Sequence, residues 1–347
     1  MFSKLMKRDF KIVENVAGLA LISAMIILAG VVFMCAFGLN LGIDYEGGAK
    51  VEIELTDGLD SSTEVAFEKE MRTAIEEAGY TISDKMQKSP LADSNGYTYE
   101  FRLNYEIGGQ NMGKTEESQV KFIESLNGKS DNADDKGFKG SLEEKVKEFL
   151  ETNGSEQYEE GCVRIAVIGA SSSKSLIRST IIAIILALVA ILVYIAIRFT
   201  LTSGIAAFTG LIHDVAFMIA LTAIFQIPVN MTFIAAVITI IGYSINSSIV
   251  IFDKVRECLK STAFVGASDT EIANYAIKHS LVKILLSILT TLIMVVALVI
   301  FSVSTIQEFI IPIIFGLIGG TFSALCLSPS LWVLYRKIGA KIKNKKA

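Results

Sequence analysis

Histidine is almost missing from this chain: 347 residues hold two, His213 and His279, with one tryptophan, four prolines and four cysteines. The cysteines are Cys35, Cys162, Cys258 and Cys326, and no two stand at CxxC spacing. So few soft ligands argue against a zinc finger or ribbon, and no metal or other cofactor is expected. Only Cys162 falls in the long polar stretch described below, so that stretch lacks an internal disulfide partner, and the cysteines read as small buried residues. No nucleophile–base pair and no phosphate-binding loop can be picked out. The chain is therefore not expected to be an enzyme, and an intramembrane protease in particular would need such a set. Basic residues are missing too from two short apolar-flanked connections, around Gln226 and over Ser302–Glu308.

Apolar residues, by contrast, make up 52% of the chain. A mean hydropathy of +0.51 points to a membrane protein. The apolar residues gather at 16–38 and throughout 176–335, and the stretch 41–175 is polar. That stretch carries 28 Asp or Glu against 15 Lys or Arg, while the rest of the chain carries 8 against 17. A strongly acidic insert gives no footing for nucleic acid as a partner.

A spanning helix needs about 20 apolar residues. Six segments qualify: Val16–Phe37, Leu176–Ile197, Gly204–Phe225, Val229–Phe252, Lys278–Phe301 and Phe309–Tyr335. The first is too long for a signal-peptide core of about 7–15 residues and reads as a retained anchor. Gln226–Ile227–Pro228 is so short that the third and fourth spans must be antiparallel neighbours. Lys4, Lys7, Arg8 and Lys11 precede the first span, Arg198 follows the second, Lys254, Arg256, Lys260 and Lys278 lie between the fourth and fifth, and Arg336, Lys337, Lys341, Lys343, Lys345 and Lys346 follow the sixth. All fall on one side, which the positive-inside rule makes the cytosol. The domains expected are a cytosolic tail with the first span (1–40), an exported α+β domain (41–175), a five-helix bundle (176–335) and a basic tail (336–347) suited to anionic lipid.

Within the insert, Lys50–Leu55 and Tyr97–Leu103 alternate polar and apolar residues as half-buried strands, and Val163–Ile168 is a third strand leading into the membrane. Thr63–Ala78, capped by Ser62, reads as a helix with Val65, Phe67, Met71 and Ile75 near helical spacing. Leu142–Leu150 is a second amphipathic helix, 131–140 a loop, and 108–140 a helical insertion or a partly disordered segment. The order predicts an open antiparallel sheet with helices on one face, a ferredoxin-like plan.

Three stretches go further: GIDYEGG at Gly42–Gly48, HDV at His213–Val215 and GYSINSSIVIFDKVRE at Gly242–Glu257. Together with Ile168–Gly169–Ala170 and the YIAIRF of Tyr194–Phe199, they resemble the SecF members of the SecD/SecF protein-export family, within the RND superfamily. The resemblance implies a SecD-like partner, the SecYEG channel, SecA and a YajC-like subunit further out, and an unfolded preprotein as cargo. It also implies the proton gradient as fuel and the bacterial cytoplasmic membrane as the location, with both termini cytosolic. The family's Asn-Asp in the fourth span is here Asn246–Ser247, and its fifth-span Arg aligns with Lys283 (KHSLVK). The acid–base pair has thus become Ser–Lys, and a serine carries no proton charge.

Asp214 is the only carboxylate deep inside a span, about 16 Å from the cytosolic end at 1.5 Å per residue. An intramembrane acid is costly and points to function, although a carboxylate bonded to a polar neighbour to hold helices together would read the same. His213 beside it is of the side-chain type suited to proton exchange near neutral pH, yet one residue turns about 100°, which sets it on another face from Asp214. It reads equally as packing. Lys283 can pair with Asp214 or snorkel to the surface. The Gly42, Asp44, Gly47 and Gly48 motif reads as a hinge fixing the insert on the first span, or as a cargo contact. Asp253 and Glu257 can pair with Arg256 or Lys260 on a solvated interfacial helix, or touch the channel or its motor. Gly316, Gly319 and Gly320 predict a close helix seam against a partner subunit.

Three functions fit this pattern. The chain is a proton-coupled export subunit, a docking subunit whose SecD partner holds the proton site, or a proton-driven small-molecule exporter. The last usually carries about twelve helices in one chain. The charge pattern makes a direct prediction: a membrane-impermeant thiol reagent applied to intact cells labels a cysteine placed at Ser94 and spares one at Ser261. The opposite pattern would invert the topology.

Overall fold

A computed structural model describes residues 12–83, 86–90, 96–112, 115–128, 137–153, 159, 161–301 and 304–346. The basic N-terminal residues lie outside these. The described residues open with helix α1 (Ile12–Phe37), and the chain divides into two compact units: a helical one of residues 1–40, 181–302 and 307–347, and an α+β one of residues 41–180 with 303–306.

The α+β unit begins with the short helix α2 (Ile43–Glu46) and strand β1 (Gly48–Leu55), followed by α3 (Ser61–Glu77), β2 (Tyr80–Ile82), β3 (Gln87–Pro90), β4 (Tyr97–Ile107) and β5 (Gln110–Asn111). It closes with α4 (Glu116–Asn127), α5 (Gly137–Thr152) and β6 (Val163–Ile168). The main sheet order is β2-β4-β1-β6, every pairing antiparallel, with β3 and β5 also on β4. Alternation decides the faces. Val51 stands between Phe101 and Ile165, and Ile53 between Tyr99 and Val163. Both turn to the helices and are fully buried with Phe67, Met71 and Ile75 of α3 and Val146 and Phe149 of α5. Phe67 meets Phe149 edge-on at 5.3 Å between ring centroids. On the other face Lys50 bridges Glu52 at 2.9 Å and Glu100 at 2.8 Å, and Arg102 Nε meets Glu100 at 3.0 Å.

Several details depart from the sequence reading. Val65 is 69% exposed, because two residues before Phe67 is the wrong side of a 3.6-residue turn. The N-cap is Asp60, and its carboxylate takes hydrogen bonds from Ser62 and Thr63, which hold its pKa at about 2. The loop expected over 131–140 does not extend to Gly140: Gly137–Gly140 belongs to α5, where Phe138 joins the core, and 129–136 lie outside the described residues. Within 108–140 a helix is present, α4, started by a Thr115–Ser118 capping box. Strands β2, β3 and β5 have 3, 4 and 2 residues, too few to show a period.

The helical unit continues along α6 (Ala170–Arg198), α7 (Leu201–Ile224), α8 (Met231–Lys260), α9 (Asp269–Phe301), α10 (Ser304–Phe322), a five-residue π-turn (Ser323–Leu327) and α11 (Ser328–Lys346). Six helical stretches among the described residues are long and apolar enough to cross a membrane, the last running through the π-turn. Helix α8 does not stop at Phe252 and α9 does not wait for Lys278. Apolarity marks only the part in lipid, and charged turns prolong a helix into water. The membrane windows of α7, α8 and the last span are 50–56% buried, against 6–11% for α1, α6 and α9, so the first three form the centre. Close approach is built on small residues. A Cβ on Gly30 of α1 would fall 2.4 Å from the Cα of Ala220 on α7. The α7–α8 turn is tight as expected. Gln226 there has φ 50°, and Asn40 holds the turn by donating from Nδ2 to the Gln226 carbonyl at 3.0 Å and accepting from Val229 N at 2.7 Å.

Burial raises the Cys162 thiol from 9.0 to about 11, with the Glu143 carboxylate adding to the effect. At pH 8 the reactive thiolate is therefore about a hundredfold scarcer than in an open chain. A purified 45–170 fragment is expected to unfold cooperatively, with Cys162 resisting alkylation until the transition. Phe101→Ala should lower stability by about 3–5 kcal/mol. A featureless melt with immediate alkylation would rule out an independently folding unit.

Candidate functional site

The centre of the helical unit holds one carboxylate with no exposed surface, Asp214 of α7. A buried carboxylate needs hydrogen-bond donors around it, and the neighbouring helices supply them. Ser323 Oγ, in the π-turn, donates to Oδ2 at 2.7 Å, and Ser244 Oγ of α8 makes a short hydrogen bond to the same oxygen. His213 Nδ1 lies 3.0 Å from Oδ1. The far ring nitrogen, Nε2, makes a short hydrogen bond to Ser23 Oγ of α1. With Nδ1–H donating to the carboxylate, Nε2 of a neutral ring accepts from Ser23. The imidazole stacks on Phe217 and leans on Phe322, with centroids at 6.0 and 5.6 Å. Three helical segments thus meet at one acid, and α1 joins them through His213.

The residues picked from sequence are sorted by this geometry. His213 and Asp214 do touch: their Cβ atoms diverge, but the ring reaches back along α7 to the carboxylate. Ser247 is buried, but the carboxylate's helix-α8 partner is Ser244, almost one turn earlier. Asn246 and Lys283 are exposed, and the acid's contacts go to His213, Ser244 and Ser323 instead of Lys283. Sequence reasoning missed Ser23, Ser244 and Ser323. The available signal was a hydroxyl on an apolar helix, which has to find a partner. The glycine seam also differs from expectation, because it packs within the chain. A Cβ on Gly316 would fall 2.5 Å from Ile240 of α8, on Gly319 2.9 Å from Phe217, and on Gly320 3.6 Å from Asp214 Oδ2. The last span thus runs close by the carboxylate at Gly320, with room there for a methyl group.

At the basic end, Asp253 pairs with Arg198 at 2.8 Å and Glu257 with Lys254 at 2.8 Å, in place of Arg256 or Lys260. Arg256 is exposed. Helix α8 presents Asp253 to the α6–α7 turn, a cross-helix contact that spacing along one helix cannot reveal. In the glycine motif, Gly42, Gly47 and Gly48 are buried and Asp44 is half-buried. Gly47 has φ 78°, and Gly48 has φ 150° with Leu103 O only 2.2 Å from where its Cβ would be. Both must be glycine to turn α2 into β1. Among the described residues no group of three His, Cys, Asp or Glu gathers as a metal site.

Six apolar helical stretches among the described residues, with a buried acid between the central ones and an α+β unit inserted after the first, define a polytopic membrane protein. Residues 146–338 match the family described as protein export membrane protein SecD/SecF, C-terminal, and residues 32–58 match the SecD/SecF GG motif. This chain belongs to the SecD/SecF family of protein export membrane proteins. Protein translocase subunit SecF of Cereibacter sphaeroides is 29% identical over 94% of this chain and 89% of its own length. Protein translocase subunit SecDF of Bacillus subtilis is 27% identical over 94% of this chain, which spans only 38% of that longer protein. The crystal structure of SecDF from Thermus thermophilus, titled a translocon-associated membrane protein, covers 96% of this chain at a TM-score of 0.67 and 22% identity, a likeness of fold; this chain spans 39% of it.

Packing at the seam separates two substitutions four residues apart. Gly316→Ala should lower the melting temperature in detergent, since its methyl meets three atoms of the Ile240 side chain within 2.7 Å. Gly320→Ala meets only ordinary contacts at 3.6 Å and should leave it nearly unchanged. Equal effects would discard this packing.

Proposed function

We propose that this chain is a SecF-type subunit that works with a SecD-like partner to couple the proton gradient to preprotein export, with Asp214 as its proton-carrying group. The observation that carries this reading is the fully buried Asp214 carboxylate, bonded to His213, Ser244 and Ser323. Such an acid is expensive in a membrane and is retained where it works. Ser247 leaves the family's usual acid position empty of charge, and Asp214 is the nearby group able to bind a proton. His213 is its titratable neighbour, and Asn246 and Lys283, on exposed faces, are left for a partner helix.

In this reading residues 41–175 form the exported domain between the 1–40 segment and the 176–335 bundle. The sheet order β2-β4-β1-β6 and its antiparallel pairings support a ferredoxin-like plan, with the small strands β3 and β5 added on β4. Both termini lie in the cytosol of a bacterial cell with the 336–347 tail, and Asp253, Arg256 and Glu257 face the SecYEG channel or SecA. The exported domain meets the unfolded preprotein, and a YajC-like subunit completes the assembly.

A second reading draws on the same Ser247: the chain docks SecD on the channel, and SecD alone holds the proton site. Asp214→Asn separates the two. Export is measured with and without an uncoupler and normalised to assembled complex. Strong loss of the uncoupler-sensitive part is expected. Full uncoupler-sensitive export would remove Asp214 from the mechanism and leave the docking reading.

A further inference from the structure

Below Asp214, on the seam between α7 and the last span, one buried hydroxyl has no partner. Ser328 is 1% exposed, and its Oγ makes no hydrogen bond among the described residues. This is unusual for a serine in a helix, which ordinarily bonds the carbonyl four residues back. Thr209, Thr321 and Ser330 all do so in this bundle. Ser328 follows directly on the π-turn, and its Oγ faces Gly210 of α7, one turn from Asp214. A Cβ on Gly210 would fall 2.2 Å from Ser328 Oγ and 3.8 Å from Ser323 Oγ, which puts the two hydroxyls at most about 6 Å apart, roughly the span of one bridging water. Ser323 itself has two acceptors, Asp214 Oδ2 at 2.7 Å and the Gly320 carbonyl at 3.3 Å. It can therefore turn between them. Further along the same seam Thr209 Oγ1 meets Tyr335 Oη at 3.2 Å, in half-buried surroundings.

We infer that Ser323 and Ser328 are the relay through which Asp214 exchanges its proton with the Tyr335 end of the bundle. This rests on the reading of Asp214 as the proton-carrying acid, and on the basic residues beyond Tyr335 marking the cytosolic side. On loading, the Ser323 hydroxyl proton passes to Asp214 Oδ2, and Ser323 Oγ regains a proton from the donor next to it, Ser328 or a water held by it. The last proton comes from cytosolic water, so one O–H bond forms at the carboxylate and one breaks in the solvent. Unloading runs the same exchange backwards. Turning of Ser323 toward Gly320 resets the chain. A glycine at 210 keeps the two hydroxyls within reach, since a side chain there would stand between them.

The test uses the full complex in inverted membrane vesicles, with export per assembled complex measured with and without a proton gradient. Ser328→Ala is expected to lose the gradient-stimulated part severalfold while gradient-free export and assembly stay unchanged. Ser328→Thr, which returns a hydroxyl, is expected to recover most of it. Full gradient stimulation in Ser328→Ala overturns the relay, and if Asp214→Asn is inactive in the same assay the acid itself still stands. Full stimulation in Asp214→Asn overturns both. Equal losses in Ser328→Ala and Ser328→Thr, or a loss shared by gradient-free export, would make Ser328 a packing residue and also overturn the relay.

Discussion

An acid held away from water in an apolar bundle sets the terms for everything near it. Without donors the Asp214 carboxylate would cost several kcal/mol, so helices on three sides bring hydroxyls or an imidazole to it. That requirement accounts for features that otherwise look unrelated. The last span passes so near that a Cβ on Gly320 would stand in ordinary contact with Oδ2, at 3.6 Å. The helix loosens into a π-turn at Ser323, the residue that donates to the acid, and such turns tend to occur where a helix is bent to a task. On α1, Ser23 is buried because His213 carries the network outward to it.

The two units obey different rules. The α+β unit has water on its outside, so its aromatic and aliphatic side chains collapse between sheet and helices, and the opposite sheet face carries the Lys50–Glu100–Arg102 network. In the helical unit lipid is as apolar as leucine, and burial alone does not bring helices together. Contact depends on Gly30, Gly316 and Gly319 instead. Large apolar side chains face outward along α1, α6 and α9, among them Leu28, Leu186 and Ile293.

How much of the molecule is legible in its sequence follows from the same physics. The spans are legible because so long an apolar run is at home only in lipid, and β1 and β4 because alternation is a strong period. Short strands carry no period, and β2, β3 and β5 were missed. Asp214 stands out by its charge. Its partners do not, because Ser23, Ser244 and Ser323 are ordinary residues until three-dimensional packing aims them at one point. The Asp253–Arg198 pair is hidden for the same reason: spacing along a helix sees neighbours on that helix, and this contact crosses between two. The Ser–Lys departure at Ser247 and Lys283 is visible only against the residues usual in the family, and composition would never have raised it.

The register of the sheet has one more consequence. Gly48, the first residue of β1, pairs with Ile168, the last of β6, so the polypeptide enters and leaves the α+β unit at adjacent points, about 5 Å apart as neighbouring strands are. A module with both ends at one doorstep behaves as a cassette. Its interior can lengthen, shrink or be exchanged for another fold without altering the distance its two flanking segments must bridge.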